Sequence, residues 1–289
     1  MWKCLCCGKT LDVPPEAMKC PNCGLTLGRT EATKEKYNIL RKICELNDYA
    51  LIIDACAGSG KVQVNGELID GSPLILSEIS TKKMPPAKCV YIEADPKTFK
   101  LLKWKFCRDI DAQFIQGDCN KYLLKLVNGK IPTLVYIDPF GFGIPAIRGD
   151  IVLKLSKTPN TDLLINFSWR IAREMGHARK YLSCSIDNCP SPSNMGAKVR
   201  SCDECPTRKR ALKYAEDLNT WWSLRDDPTE WLKWGNLKDD EYARRYAEPL
   251  RGNNRVQIFP VPKFARTTYH LIFATKFETL KTGLLKWMR

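Results

Sequence analysis

Apolar residues recur at three-to-four spacing from Glu31 to Leu46, with Tyr37, Leu40, Ile43 and Cys44 on one side, and this spacing predicts a helix. The run Ala50-Leu51-Ile52-Ile53-Asp54 is apolar until its final acid, then gives way to small residues, as a buried parallel strand does. Comparable runs stand at Lys88–Glu93, Gln113–Gln116, Thr133–Asp138 and Leu163–Phe167. Helix-like stretches lie between them at Pro96–Cys107, Lys121–Val127 and Ile147–Leu155. This alternation predicts an open α/β sheet that takes its ligands at the carboxyl ends of the strands. The pattern breaks over 178–210, which is rich in Ser, Pro, Asn and Cys. Arg255–Val261 and Thr268–Thr275 read as two further strands and Leu280–Met288 as a last helix.

Composition narrows the class. The 289 residues are 44% hydrophobic and 27% charged, which fits a folded chain and excludes disordered and collagen-like ones. No apolar run approaches the roughly 18 to 20 residues that cross a bilayer. The start Met1-Trp2-Lys3-Cys4 lacks the apolar stretch of a secretory signal, so a cytoplasmic protein with no membrane partner is expected. Lysine and arginine number 46 against 32 acids, a formal charge of +14, which points to a polyanionic partner such as DNA or RNA.

Fourteen cysteines without a signal peptide suggest metal ligands and reduced thiols. Cys4-x2-Cys7-Gly8 and Cys20-Pro-Asn-Cys23-Gly24 have the spacing of two zinc knuckles, in which backbone amides face paired thiolates and glycine makes the turn. A second set, Cys184-x4-Cys189 and Cys202-Asp-Glu-Cys205, predicts an inserted four-Cys finger. Two zinc ions are the expected occupants, although iron accepts the same tetrahedral sulfur set. Cys6 lies inside the first knuckle with poorer spacing, and His177 beside the second set reads as a surface histidine. Two filled four-thiolate sites would lower the net charge to about +10. Cys44, Cys56, Cys89, Cys107 and Cys119 fall in or beside predicted elements and read as small buried hydrophobes.

The strand ends carry the candidate chemistry. Asp54-Ala-Cys-Ala-Gly58-Ser-Gly60 ends the first strand in small residues that let a backbone approach a cofactor closely. Glu93 ends the next strand, where a ribose diol could be held, and Asp118 follows the third. Three acid-bearing strand ends in order form the pattern of a class I S-adenosylmethionine (SAM) fold. The fourth strand ends in Asp138-Pro139-Phe140-Gly141, which resembles the Asp-Pro-Pro-Tyr signature of methyltransferases that act on exocyclic base amines. There the carboxylate and the proline carbonyl accept the amine hydrogens and the aromatic ring stacks on the base. Asn166-Phe167-Ser168-Trp169-Arg170, at the end of another strand, is a further candidate to touch substrate.

Several segments together resemble the three-Cys-motif partner protein family (TcmP): Ile53–Gly60, Gly71-Ser72-Pro73-Leu74, Tyr91–Glu93, Ile137–Gly141 and Tyr269–Thr275. The resemblance implies a SAM-methyltransferase-like domain that occurs beside a radical-SAM-like protein with a three-cysteine motif. It assigns Asp54, Gly58, Gly60, Glu93 and Asp138 to the site. Cys56 and Ser59 depart from the family's usual Phe and Pro, and Lys61–Gly71 is an insertion where a helix ordinarily begins.

The expected organisation is therefore a zinc ribbon (1–28), a Rossmann-like SAM-binding core (31–178), an inserted finger (179–210), a helical cap (211–254) and the final strands and helix of the core (255–289). The cap contains Trp221, Trp222, Trp231 and Trp234, spaced as core residues. Basic excess gathers at the finger, with eight Lys/Arg against three acids over 178–213, and at the end, with seven against one over 255–289. The expected function is SAM-dependent methylation of a nucleic acid at a base amine, with Asp138, Pro139 and Phe140 as catalytic residues. The alternative is a zinc-containing nucleic-acid-binding partner of the radical-SAM-like protein, with a vestigial pocket.

Overall fold

The computed structural model describes residues 2–11, 19–27, 31–107, 111–139, 147–168, 178–182, 205–234, 237–261 and 269–276. Its centre is a seven-stranded sheet built from β4 (Leu51–Asp54), β7 (Lys88–Glu93), β8 (Gln113–Gln116), β9 (Thr133–Ile137), β10 (Thr161–Ser168), β11 (Arg255–Val261) and β12 (Tyr269–Thr275). They lie in the order β11-β12-β10-β9-β4-β7-β8. Five are parallel, and β12 runs antiparallel to both its neighbours, β10 and β11. Counted in chain order within the sheet this is 3-2-1-4-5-7-6, the mixed sheet of Rossmann-like methyltransferases.

The period of two along each strand sorts side chains onto two faces. Leu51, Ile53, Val135, Ile137, Leu163 and Ile165 join one core cluster, whereas Ile52, Leu134, Tyr136 and Leu164 join another. The central strands β4 and β9 are buried throughout, so their sequences are continuously apolar. The second cluster is covered by α1 (Glu31–Leu46) and α2 (Ser72–Thr81), and by the turn after α3 (Pro96–Leu101). The first is covered by α4 (Leu123–Leu126), α5 (Gly149–Lys157), α6 (Pro206–Trp221) and α7 (Asp239–Ala247).

The four tryptophans of the cap are all buried. Trp221 stacks on Tyr246 at 5.0 Å, Trp222 meets Trp234 edge-on at 4.7 Å, and Phe167 of β10 packs beneath them. Gly149 allows this contact, since a Cβ there would lie 2.5 Å from the Trp221 carbonyl oxygen and the Leu224 nitrogen.

Near the N-terminus β1 (Trp2–Lys3) and β2 (Thr10–Leu11) pair as a small hairpin. The segment after the glycine loop is a second hairpin, β5 (Lys61–Val64) and β6 (Glu67–Asp70), joined by Asn65-Gly66 with both residues at positive φ. This is the two-residue turn that Asn-Gly favours, and it explains the insertion ahead of α2. β3 (Thr26–Leu27) of the ribbon pairs parallel with β5 and completes a three-stranded sheet. The last predicted helix and three of the four second-set cysteines, Cys184, Cys189 and Cys202, lie outside the described residues, as does His177.

Candidate functional site

The sheet reverses its strand order between β4 and β9, and open α/β sheets bind ligands in the crevice at such a point. Asp54 ends β4 and Asp138 follows β9, so the two acids flank this crevice, with Glu93 one strand further on.

Asp54 is fully buried, and burial pushes its carboxyl up to about 7, against the Ser72 hydroxyl and the Cys56 amide, which favour the charged form. Glu93 is buried as well and ties three segments together. Its Oε2 accepts the Gly58 amide at 2.9 Å, and its Oε1 accepts the Asp95 amide at 2.8 Å and the Lys19 ammonium at 3.1 Å. Asp118 is spent locally, accepting the Asn120 amide and side chain at 3.0 Å each. Gly60 packs inward over Leu102, Phe106 and Cys107, and its carbonyl accepts the Gly71 amide, which closes the base of the hairpin onto the loop.

The glycine loop is buried by the ribbon. Thr26 donates its amide to Ser59 Oγ at 2.9 Å, and the Ser59 amide donates to Thr26 Oγ1 at 3.2 Å. A Cβ on Gly58 would lie 3.0 Å from that same Thr26 oxygen. Thr98 donates to the Gly24 carbonyl at 3.0 Å, and a Cβ on Gly24 would come within 2.8 Å of the Thr98 nitrogen. Leu5 donates to Gln63 Oε1 and Gln63 returns a bond to the Lys3 carbonyl, both at 2.9 Å.

The ribbon itself brings Cys4, Cys7, Cys20 and Cys23 together, with all four sulfurs within 4.8 Å of one another. Cys4 and Cys23 are 3.7 Å apart, Cys7 and Cys20 3.9 Å. A tetrahedron with 2.3 Å zinc–sulfur bonds has edges of about 3.8 Å, so the donor set fits zinc. The Gly8 amide donates to the Cys4 carbonyl and the Gly24 amide to that of Cys20, both at 2.8 Å, as each knuckle turns. Cys6 lies outside this set, and its sulfur takes the Lys105 ammonium at 3.1 Å. Of the five cysteines expected as buried thiols, four are buried and Cys56 is half-buried.

The other half of the crevice is polar and closed. Asp138 Oδ2 accepts the Lys36 ammonium of α1 at 2.5 Å and the Tyr136 hydroxyl at 3.0 Å, while Oδ1 accepts Asn166 Nδ2 of β10 at 2.6 Å. Lys36 also lies 5.1 Å from the Tyr37 ring and 5.2 Å from that of Tyr269. Burial alone would lower the Lys36 pKa, but the Asp138 carboxylate opposite it more than offsets this, and the ammonium is held above its usual range. Burial raises Tyr37 and Tyr136, which stay neutral. Lys36 carries no motif and sits among helix-periodic apolar residues. Its one signal is a lysine on the inward side of an amphipathic helix. Pro139 follows Asp138, whereas Phe140, Gly141, Trp169 and Arg170 lie outside the described residues.

The fit to SAM can be judged at Glu93. A carboxylate offers about four acceptor positions. Lys19, Asp95 and Gly58 take three, so one is left where a vicinal diol requires two. A second position would require Lys19 to leave Glu93.

No protein-family model matches the chain, and no curated protein matches it. Solved structures do resemble it. Fibrillarin of Aeropyrum pernix, crystallised with bound SAM, is 15% identical with a TM-score of 0.39, covering 84% of this chain and 74% of its own. The precorrin-6y C5,15-methyltransferase of Geobacter metallireducens is 13% identical with a TM-score of 0.37, covering 84% and 88%. A Legionella pneumophila protein is 9% identical with a TM-score of 0.49, covering 90% of both chains. Likenesses this distant say nothing of substrate, and the functional reading rests on the chain's own site.

Proposed function

We propose that the chain is a SAM-dependent methyltransferase acting on nucleic acid, whose cofactor pocket is closed by its own zinc ribbon in the conformation described. One observation carries this reading: the Gly58 amide bonded to Glu93 at 2.9 Å, which joins the glycine loop of β4 to the acid of β7 beside the switch point. The TcmP resemblance, the methyltransferase strand order and the +14 charge support it.

Bound SAM would supply an electrophilic methyl group. Glu93 would hold its ribose once Lys19 withdraws, with Asp54, Gly58, Gly60 and Asp118 lining the rest of the pocket. Lys36 pairs with Asp138, and Asn166 and Tyr136 fix its plane. With Oδ1 and the Pro139 carbonyl, Asp138 would then accept hydrogens of a base amine, and Phe140 would stack on the base. No strong base is required, because the amine proton can leave after transfer.

Calorimetric titration of the zinc-loaded full chain with SAM tests the pocket, alongside transfer of labelled methyl to RNA and DNA pools. Lys19→Ala should tighten SAM binding by up to about five-fold, the worth of a partly exposed ion pair. Asp138→Asn should keep SAM binding and lose methyl transfer. Binding by neither wild type nor Lys19→Ala would reject the enzyme. That outcome favours a second reading, a nucleic-acid-binding partner of a radical-SAM-like protein with a vestigial pocket. The occupied Glu93 and the buried Gly58–Gly60 are what speak for it.

A further inference from the structure

After α3 the chain continues as a π-helical turn, Leu102–Phe106, a rare element that is found disproportionately at functional sites. Thr98, Leu102 and Cys107 of this segment are buried, while Lys97, Lys100, Lys103, Trp104 and Lys105 face solvent. Trp104 is 63% exposed, whereas Trp221, Trp222, Trp231 and Trp234 are all buried. An indole left in water gives up the burial that holds the other four, and nothing in the fold of the described residues requires it there.

The surroundings are rich in lysine. The described segments 2–11, 19–27 and 96–107 hold seven lysines (3, 9, 19, 97, 100, 103 and 105) and no Asp or Glu. Lys19 is paired with Glu93, and Lys97 lies close enough to Asp95, the N-cap of α3, to help hold that carboxyl below its usual range; the other five have no acidic partner among the described residues, and all six apart from Lys19 are exposed. These segments form one surface. Lys97 donates to the Pro21 carbonyl of the ribbon at 3.1 Å, and Lys105 to the Cys6 carbonyl at 3.1 Å. Lys103 lies 5.5 Å from the centroid of the Trp104 ring.

We infer that this face, with Trp104 at its centre and the ribbon as its flank, binds a single-stranded stretch of nucleic acid. The lysines would track the phosphates and a base would stack on Trp104. An exposed ring amid cations, five of them without an acidic partner among the described residues, is complementary to a polyanion that carries flat apolar groups, and an unstacked base is the group a duplex hides. Lys97 to Trp104 spans roughly 10 Å of helix axis, or about three nucleotides. α3 begins three residues after Glu93, so the strand would lead toward the proposed pocket. This inference rests on the nucleic-acid part of the function proposed above and needs no SAM binding.

Fluorescence anisotropy of the zinc-loaded full chain with labelled 12-nucleotide RNA and DNA single strands, and with their duplexes, tests it. Trp104→Ala should weaken single-strand binding by about ten-fold, with Trp104→Phe restoring most of it and duplex affinity little changed. Lys100→Ala with Lys103→Ala should lower the slope of log K against log salt by about 1.4. Wild type that binds single strands while Trp104→Ala binds them equally would overturn the platform alone. Equal losses on single strands and duplexes would overturn the stacking role. Failure of wild type to bind any of the probes would reject the nucleic-acid reading together with the platform. The RNA and DNA arms identify which polymer is held.

Discussion

Two strand-end carboxylates, Glu93 and Asp138, stand on either side of the same crevice, and each is met by a lysine. The Lys36–Asp138 pair comes from the main helix and strand of the core, and its side chains are only 7% and 12% exposed. The Lys19–Glu93 pair joins the core to the ribbon, and its lysine side chain is 20% exposed. Asp138 is held by a tyrosine and an asparagine of neighbouring strands in addition to its lysine, whereas Glu93 is otherwise held by two backbone amides. The first arrangement is a buried pair, and withdrawing Lys36 would leave Asp138 without its counterion inside the protein. The second is the one that the proposed function expects to exchange its cation for another partner. What separates a structural ion pair from a replaceable one is the origin of the cation and its access to water.

The two pairs should part company when either end of the crevice is perturbed. The largest effect is expected from the metal site. Cys4→Ser with Cys20→Ser should remove one equivalent of zinc and unfold the ribbon, since metal binding in such modules is worth on the order of 10 kcal/mol. Hydrogen exchange should then quicken at Ser59, whose amide donates to Thr26 of the ribbon, while α1 and β9 around Lys36 and Asp138 stay protected. Loss of protection at both places would dissolve the distinction. Next, Lys36→Met should cost about 3 to 5 kcal/mol in urea unfolding, because Asp138 is left buried without its counterion.

A pH series reports on the crevice floor. The Asp54 carboxyl rises from 3.8 in the unfolded chain to about 7 in the folded one, so the folded state binds the extra proton between those values. The Asp54 contribution to stability is therefore fully present below pH 4 and is lost as pH climbs toward 7. Asp54→Asn should flatten that decline, a difference of a few kcal/mol at pH 8 by the usual 1.4 kcal/mol per unit. Smallest of all, Lys19→Ala should cost less than Lys36→Met, because Lys19 is the more exposed cation and Glu93 keeps the Gly58 and Asp95 amides. A cost equal to that of Lys36→Met would mean that the ribbon contact is structural.

Much of this architecture is legible in the amino-acid sequence. The buried parallel strands announce themselves because both faces are covered, which makes Leu51–Asp54 and Thr133–Ile137 continuously apolar. The first knuckle set is legible because Cys-x2-Cys-Gly specifies a local turn that needs no tertiary context. The β5–β6 hairpin is signalled by Val64-Asn65-Gly66-Glu67, yet it hides behind the expectation of a helix directly after the glycine loop, which makes the segment look like a mere interruption before α2. Lys36 is illegible for a deeper reason. A lysine within an amphipathic helix ordinarily reaches solvent, and only the arrival of Asp138, 102 positions later in the chain, makes an inward ammonium tolerable. The same holds for Lys19, whose partner is set by where the ribbon docks. Trp104 differs again. Its exposure follows from the turn after α3, which sequence periodicity extends as an ordinary helix to Cys107.

The parallel pairing of β3 with β5 has a practical consequence for anyone who trims the chain. It is main-chain bonding, with Thr26 opposite Val62 and Leu27 opposite Gln63. A version beginning at residue 31 would leave β5 as a bare strand edge whose Val62, Gln63 and Val64 are normally covered. Such an edge recruits strands from other molecules. Removing the ribbon should therefore yield an aggregating protein, and a charged replacement at Gln63, whose side chain faces the ribbon, should help to keep the truncated form monomeric.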